Sequence, residues 1–345
     1  MTQDSAQAPI LLTGASGFIA MHTTVHLLRQ GYRVRGTLRS LAKEAQLREV
    51  IARHVDPGDR LEFAVADLDQ DNGWAEAAAG CDFVLHLASP FPTGEPADPE
   101  ELIRPAVDGT LRVLRAALVA GVRRVVFLSS TAAVSIGHFH QIQRFDESHW
   151  SNLAAPIGAY SKSKTLAEQA AWDFVQSPEN GGRLELVSLN PPYVYGPPLD
   201  DHAFTSGDAV LAYLRGAYPG APHIKLAFVD VRDLAAMFEA ALLTPAAAGQ
   251  RFLCTGETPW LAGITAILHR QFASRGYRVP TRELPNWLVK LVARFDKRVR
   301  GTVPYLDWDY TYDSSRARAV LGWNPRPPED TLRDMGEAMI KLGMV

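Results

Sequence analysis

Short apolar runs ending at glycine or a polar residue alternate with longer stretches in which apolar residues recur at helical spacing. Pro9–Thr13 (PILLT) is the first such run, and Phe18–Arg29 is the first helical stretch. Tyr32–Leu38, Leu61–Ala66, Phe83–Leu87, Val125–Leu128 and Leu184–Leu189 read as further strands. Leu41–Arg53, Ile103–Ala120 and Ala159–Val175 read as helices between them. Buried apolar strands alternating with helices predict an α/β fold with a doubly wound parallel sheet. Right-handed crossovers then bring the strand C-terminal ends to one edge, where ligands bind.

The texture changes after Asn190, where prolines and aromatics become frequent, as in NPPYVYGPP from Asn190 to Pro198. Helix-like runs recur at Ser206–Gly216, Asp233–Leu243, Leu261–Phe272, Leu288–Phe295 and Glu329–Leu342, while Arg251–Cys254 reads as a strand returning to the main sheet. Asp230 and Asp233 stand where a helix cap is expected. The reading is a dinucleotide-binding unit over residues 1–190, with 226–256 returning to it. A smaller, mostly helical substrate lobe comprises residues 191–225 and 257–345.

Composition narrows the partners. The 345 residues are 47% hydrophobic and 21% charged, with a formal net charge of −3, so no basic surplus points to nucleic acid or to an anionic membrane. No stretch approaches the roughly 18 consecutive apolar residues of a membrane span, and Met1–Gln7 is polar without a signal-peptide core. A cytoplasmic protein acting on a small molecule is expected. Cys81 and Cys254 form no ligand motif and read as reduced core thiols.

The first chemical signal is TGASGFIA, Thr13–Ala20, between the first strand and the first helix. Gly14 permits a tight turn, Gly17 lets backbone approach a phosphate, and Ala20 is small enough for the helix to pack near the strand. With Ser16, Phe18 and Ile19, these glycines form the expected pyrophosphate site, aided by the helix N-terminus. A plain turn between strand and helix would also use glycine here.

The second strand ends Gly36-Thr37-Leu38-Arg39-Ser40 without the acid that an NAD site places on the ribose hydroxyls. Arg39 can fork onto a 2′-phosphate, with Lys43 four residues on and Arg35 as a second candidate. The pattern points to NADP(H). Asp67 after the third strand can bond an adenine amino group while Leu68 packs on the ring, or Asp67 can cap the next helix. Leu87-Ala88-Ser89 ends the fourth strand, where a ribose would lie.

Tyr160 and Lys164 stand four residues apart, on one face if helical. A phenol has an ordinary pKa of about 10. A nearby ammonium is expected to lower it and make Tyr160 a workable general acid, while Lys164 can also bond the nicotinamide ribose. Lys162 falls on the wrong face. Ser130, in Val126–Thr131 (VFLSST), ends the fifth strand and can bond a substrate oxygen as charge develops, although Ser129 and Thr131 are neighbours and strand-end capping is an alternative use. His138-Phe139-His140 lacks further ligands at metal spacing and reads as a loop.

Together these residues resemble the extended short-chain dehydrogenase/reductases, from TGASGFIA to Leu321-Gly322-Trp323-Asn324-Pro325. Arg39 with Lys43, LSSTAAV, YSKSK and NPPYVYGP are most similar to the dihydroflavonol reductase and aldehyde/methylglyoxal reductase branch. The resemblance implies a Rossmann fold with seven parallel strands, NADPH as cofactor and a Ser130–Tyr160–Lys164 catalytic set. It also implies that Pro191, Tyr193 and Val194 border the nicotinamide, and that the chain is a monomer or a homodimer. Nucleotide-sugar dehydratases of this fold carry an acidic pair where Ala132 and Ala133 stand here, and epimerases hold NAD with the missing acid. A sensor that binds dinucleotide without catalysis would tend to lack Tyr160 or Lys164. Phe91, Phe139, Trp150, Tyr193 and Phe204 are candidate walls of a substrate pocket.

Overall fold

Seven strands pair in parallel in a single sheet of the computed structural model, which describes residues 8–90, 94, 96–201 and 205–345. They are β1 (Ile10–Leu12), β2 (Val34–Leu38), β3 (Leu61–Val65), β4 (Phe83–His86), β5 (Arg124–Leu128), β6 (Glu185–Asn190) and β7 (Arg251–Leu253). Their spatial order is β7-β6-β5-β4-β1-β2-β3. The winding direction reverses between β1 and β4, the point at which a sheet of this kind takes its ligand.

Neighbouring strand residues face opposite ways, so the apolar runs serve two cores. Leu12, Leu85, Val126 and Leu189 pack with α1 (Phe18–Arg29) and the helix Val231–Leu243. Leu11, Val84, Val125 and Leu186 face α4 (Glu100–Val119) and α5 (Ala159–Gln176) on the other side. A third core holds the smaller lobe, with Tyr195, Phe228 and Phe272 meeting Leu332 and Met335 of the last helix, Pro328–Lys341. Trp308, Tyr310, Phe145 and Val134 form an aromatic cluster between the lobe and the strand ends.

The sequence reading differs locally. Leu41–Arg53 is a 3-10 turn, Leu41–Lys43, followed by α2 (Glu44–Ala52), because Ser40 Oγ caps the turn by accepting from Ala42 N at 3.3 Å. Three short helices, α3 (Trp74–Ala78), Lys297–Arg300 and Ser315–Leu321, escape a periodicity that needs more than two turns. Tyr193–Tyr195 and Phe228–Asp230 pair as a small parallel ribbon. Asp230 caps Val231–Leu243 by accepting from Arg232 N, with Asp233 in the first turn. Cys81 and Cys254 are both buried and free. Among the described residues, no helix is long and apolar enough to cross a membrane.

Candidate active site

The turn from β1 into α1 builds one end of the crevice. Gly14 holds φ +71°, a left-handed backbone that a side chain disfavours, and a Cβ there would stand 3.0 Å from Ala88 Cβ. Gly14 N donates to Thr37 Oγ1 at 3.1 Å, tying the turn to β2. The first turn of α1 carries no acid and Gly17 offers no side-chain cap, so the positive helix end is left for an outside anion. A cleft of about 600 Å³ opens here, walled by Gly14, Ser16, Gly17, Arg39, Asp67, Leu68, Leu87, Ala88 and Ser89. Leu68 reaches this wall because α4 has glycine beneath it: a Cβ on Gly109 would stand 2.8 Å from Leu68 Cβ.

The cationic candidates separate. Arg39 lines the cleft, whereas Lys43 lies in the 3-10 turn outside its wall. Arg35 is committed elsewhere, pairing with Glu62 at 2.8 Å and donating to the Ala77 and Ala79 carbonyls at 2.9 and 2.6 Å. Asp67 caps no helix, since α3 begins at Trp74 after Gly73; its Oδ1 accepts from Asp69 N at 3.2 Å in a local turn.

Thr13 is the hub behind this wall. Its Oγ1 accepts from the backbone N–H groups of Leu87 at 3.0 Å and Ala88 at 2.9 Å. Both lone pairs are thereby used, and its own proton goes to His86 Nδ1 at 2.9 Å. The ring proton of His86 therefore sits on Nε2, which has no partner among the described residues. Burial holds this imidazole neutral, with a pKa lowered to about 3, and the charge of Lys164 adds to the effect.

A second cleft, of about 370 Å³, continues from the glycine turn toward β5. Phe18, Ile19, Ser130, Tyr160, Lys164, Pro191 and Val194 join Gly14, Ser16 and Gly17 on its wall. Ser130 leaves β5 in extended conformation, and its Oγ accepts from Ala132 N at 3.1 Å, capping the turn Thr131–Ala133. The same side chain hydrogen-bonds Tyr160. Ser129 also lines this cleft, but its hydroxyl is committed to buried Glu168, to which it donates at 2.6 Å, and Lys162 lines neither cleft.

The electrostatics differ from the sequence expectation. Tyr160 is pushed up to about 12, because burial outweighs the stabilising hydrogen bond from Ser130. Lys164 is not among the groups that shift it; its ammonium donates to the Leu128 carbonyl at the end of β5, at 3.4 Å. Lys164 itself is lowered to about 8 by burial, opposed by the negative charge of Glu168 one turn along. The phenol therefore keeps its proton throughout the neutral range.

Beyond Ser130 and Tyr160 lies a cavity of about 450 Å³, lined by Tyr193, Tyr305, Tyr310 and Tyr312 and by Lys225. Ser135 Oγ and Tyr312 Oη are 2.7 Å apart, and Lys225 pairs with Asp309 at 2.5 Å. Of the expected wall residues, Tyr193 lines this cavity. Phe139 stands behind it, edge-on to Tyr305 and Trp308, and Trp150 lies under the Arg251 guanidinium, 3.7 Å from the ring centre. Phe91 and Phe204 lie outside the described residues. His138 bonds the Trp150 carbonyl at 2.9 Å. Sequence reasoning missed Tyr305, Tyr310, Tyr312 and Lys225, which have no local motif, and Thr13, whose signal was its place between β1 and Gly14.

Residues 10–254 match the sequence model of the family described as NAD dependent epimerase/dehydratase. Cinnamoyl-CoA reductase 1 of Petunia hybrida is 37% identical over 279 residues, covering 79% of this chain and 79% of its own. Tetraketide alpha-pyrone reductase 1 of Arabidopsis thaliana is 34% identical over 348 residues, covering 99% of this chain and 98% of its own. Among solved structures, yeast methylglyoxal/isovaleraldehyde reductase complexed with NADPH superposes with a TM-score of 0.81 at 27% identity, covering 98% of this chain and 100% of that one.

Proposed function

The chain belongs to the NAD dependent epimerase/dehydratase family, the extended short-chain dehydrogenase/reductases, and we propose that it reduces an aldehyde or ketone with NADPH, Tyr160 donating the proton. One observation carries the reading: Ser130, Tyr160 and Lys164 line the same cavity as the glycine turn. That the relatives above are named reductases, one of them complexed with NADPH, supports it.

The residues present fit the cofactor. The glycine turn and the acid-free end of α1 suit a pyrophosphate. Arg39 suits the 2′-phosphate, Asp67 and Leu68 the adenine, and Leu87, Ala88 and Ser89 a ribose. Lys164 suits the nicotinamide ribose, with Pro191, Tyr193 and Val194 bordering the nicotinamide. When bound, NADPH supplies the hydride. A carbonyl oxygen entering from the tyrosine-lined side meets the hydroxyls of Tyr160 and Ser130. Ser130 bonds the oxygen as negative charge grows on it, and Tyr160 gives up its proton to form the alcohol. A phenol raised to about 12 in the resting chain holds that proton until an oxyanion of comparable basicity develops. Ala132 and Ala133 leave a dehydratase without its acidic pair.

We assign residues 1–190 and 226–256 to the cofactor unit, and 191–225 and 257–345 to the substrate lobe. Two free buried thiols suit a reducing cytoplasm, with the chain as a monomer or homodimer. The test is NADPH consumption with a panel of aldehydes, diketones and nucleotide sugars. Stoichiometric oxidation with a carbonyl is expected, and conversion of a nucleotide sugar without net cofactor oxidation would overturn the reading.

A further inference from the structure

Tyr160, Lys164 and Glu168 follow one another at intervals of four along α5, and so share a face. The first two line the cleft, whereas the third lies fully buried behind it. Its carboxylate is surrounded by donors. Oε1 accepts from Arg251 Nε at 2.8 Å, Ser188 Oγ at 2.6 Å and Trp172 Nε1 at 3.3 Å. Oε2 accepts from Ser129 Oγ at 2.6 Å, Asn190 Nδ2 at 2.8 Å and Arg251 Nη2 at 3.3 Å. These donors come from β6, β7, α5 and the residue just past β5, so a single carboxylate ties the helix to two strands and to the end of a third.

The partners are themselves fixed, and they lead back to the site. Arg251 Nη1 donates to the carbonyls of Glu147 at 2.7 Å and His149 at 2.9 Å, while its guanidinium stacks on Trp150. Asn190 Nδ2 also donates to the Ser130 carbonyl at 3.3 Å, and Ser129 immediately precedes Ser130. Two of the six donors thus hold the backbone that aims the Ser130 hydroxyl. The Asn190 bond also anchors the strand that runs into Pro191 and Tyr193. A buried ion pair is weak evidence for stability, because apolar residues of like volume often do as well; in some proteins such a pair instead fixes one arrangement.

We propose that Glu168 is a positioning residue of the reductase site: clamped by Arg251, its carboxylate sets the Ser130 backbone through Ser129 and Asn190 and places a fixed negative charge one helical turn from Lys164. This rests on the reductase reading. Among the described residues, the charged or titratable groups facing Lys164 are Tyr160 and Glu168 on its own helix and His86 from β4, and those facing Glu168 are Lys164 and Arg251. His86 stays neutral, so Glu168 is the negative charge that opposes the burial of the lysine.

The experiment compares Glu168→Gln and Glu168→Asp with the wild-type full chain, each checked for folding by circular dichroism. Lysine titration is followed by NMR of chains carrying 13C-labelled lysine, with Lys164→Met identifying the signal. Glu168→Gln is expected to move the Lys164 titration at least one pH unit lower, while Glu168→Asp, which keeps the charge, leaves it within about half a unit. In turnover, kcat falls at least tenfold in Glu168→Gln, its alkaline limb moves down with the lysine, and the NADPH Kd changes less than threefold. A lysine titration that is unmoved in folded Glu168→Gln, or moved alike in both variants, overturns the proposal whether or not the chain reduces carbonyls. Absence of carbonyl turnover in the wild type would instead sink the reductase reading. Should Glu168→Gln not fold, Ser129→Ala removes one hydroxyl from the clamp. A several-fold fall in kcat with unchanged NADPH affinity is then expected, and an unchanged kcat overturns the proposal.

Discussion

Gly14, leaving the first strand, approaches Ala88, leaving the fourth, so closely that a Cβ on residue 14 would stand 3.0 Å from the alanine Cβ and 3.1 Å from its Cα. Both residues wall the cleft at the point where the sheet reverses its winding. Gly14→Ala therefore meets two penalties, the +71° backbone angle and a neighbour that is itself main chain. It is expected to lose about 1–3 kcal/mol of stability and to bind NADPH at least tenfold more weakly. Urea unfolding and fluorescence titration check the two effects separately. Wild-type affinity in the variant would mean that the turn does not cradle the cofactor.

Tyr160→Phe removes the hydroxyl bonded to Ser130 while keeping the ring on the cleft wall. General acid catalysis contributes roughly 10²–10⁴-fold, so kcat is expected to fall by about that factor. The NADPH Kd should stay within threefold. Retained turnover would assign the proton to another group.

The fold was legible because β4 (FVLH) and β5 (RVVFL) are short and mostly apolar without alternation, the pattern of a sheet covered on both faces. The cleft residues were legible where chemistry is local: Gly14 and Gly17 lie in one turn, and Tyr160 and Lys164 lie on one helix. What stayed hidden was nonlocal. Glu168 meets Arg251 across 83 positions, and Tyr312 meets Ser135 across 177. The tyrosines of the inner cavity look like any core aromatics in sequence. The protonation of Tyr160 stayed hidden for a related reason: helical spacing gives a shared face, but only the structure shows the phenol buried and the Lys164 ammonium on the Leu128 carbonyl.

Arg39 is the cation on the cleft wall, while Arg35 is spent on Glu62 and two carbonyls of the α3 end. Charge-assisted hydrogen bonds contribute about 1.5–3 kcal/mol, so Arg39→Ala should cut the NADPH-over-NADH preference in kcat/KM roughly tenfold or more. Lys43→Ala should cut it less. A preference unchanged in Arg39→Ala would move the 2′-phosphate to another part of the cleft.

Two buried histidines make the ligand-free chain sensitive to mild acid. His86 is lowered to about 3 and His22, which bonds the Pro197 carbonyl at 2.9 Å, to about 4, both chiefly by burial. The folded chain keeps both rings neutral, while the unfolded chain protonates them below the ordinary value of 6.5. The unfolded state therefore binds more protons in this window, and stability falls as the pH drops from 6.5 toward the folded values. Between pH 6.5 and 5 the two together should remove about 3 kcal/mol. The window lies above the range in which most paired carboxylates titrate, which separates the histidines from them. Urea unfolding across it is the measurement, with His22→Asn expected to remove about half of the dependence. A stability flat within 1 kcal/mol between pH 6.5 and 5 would show that these rings gain protons without unfolding the chain.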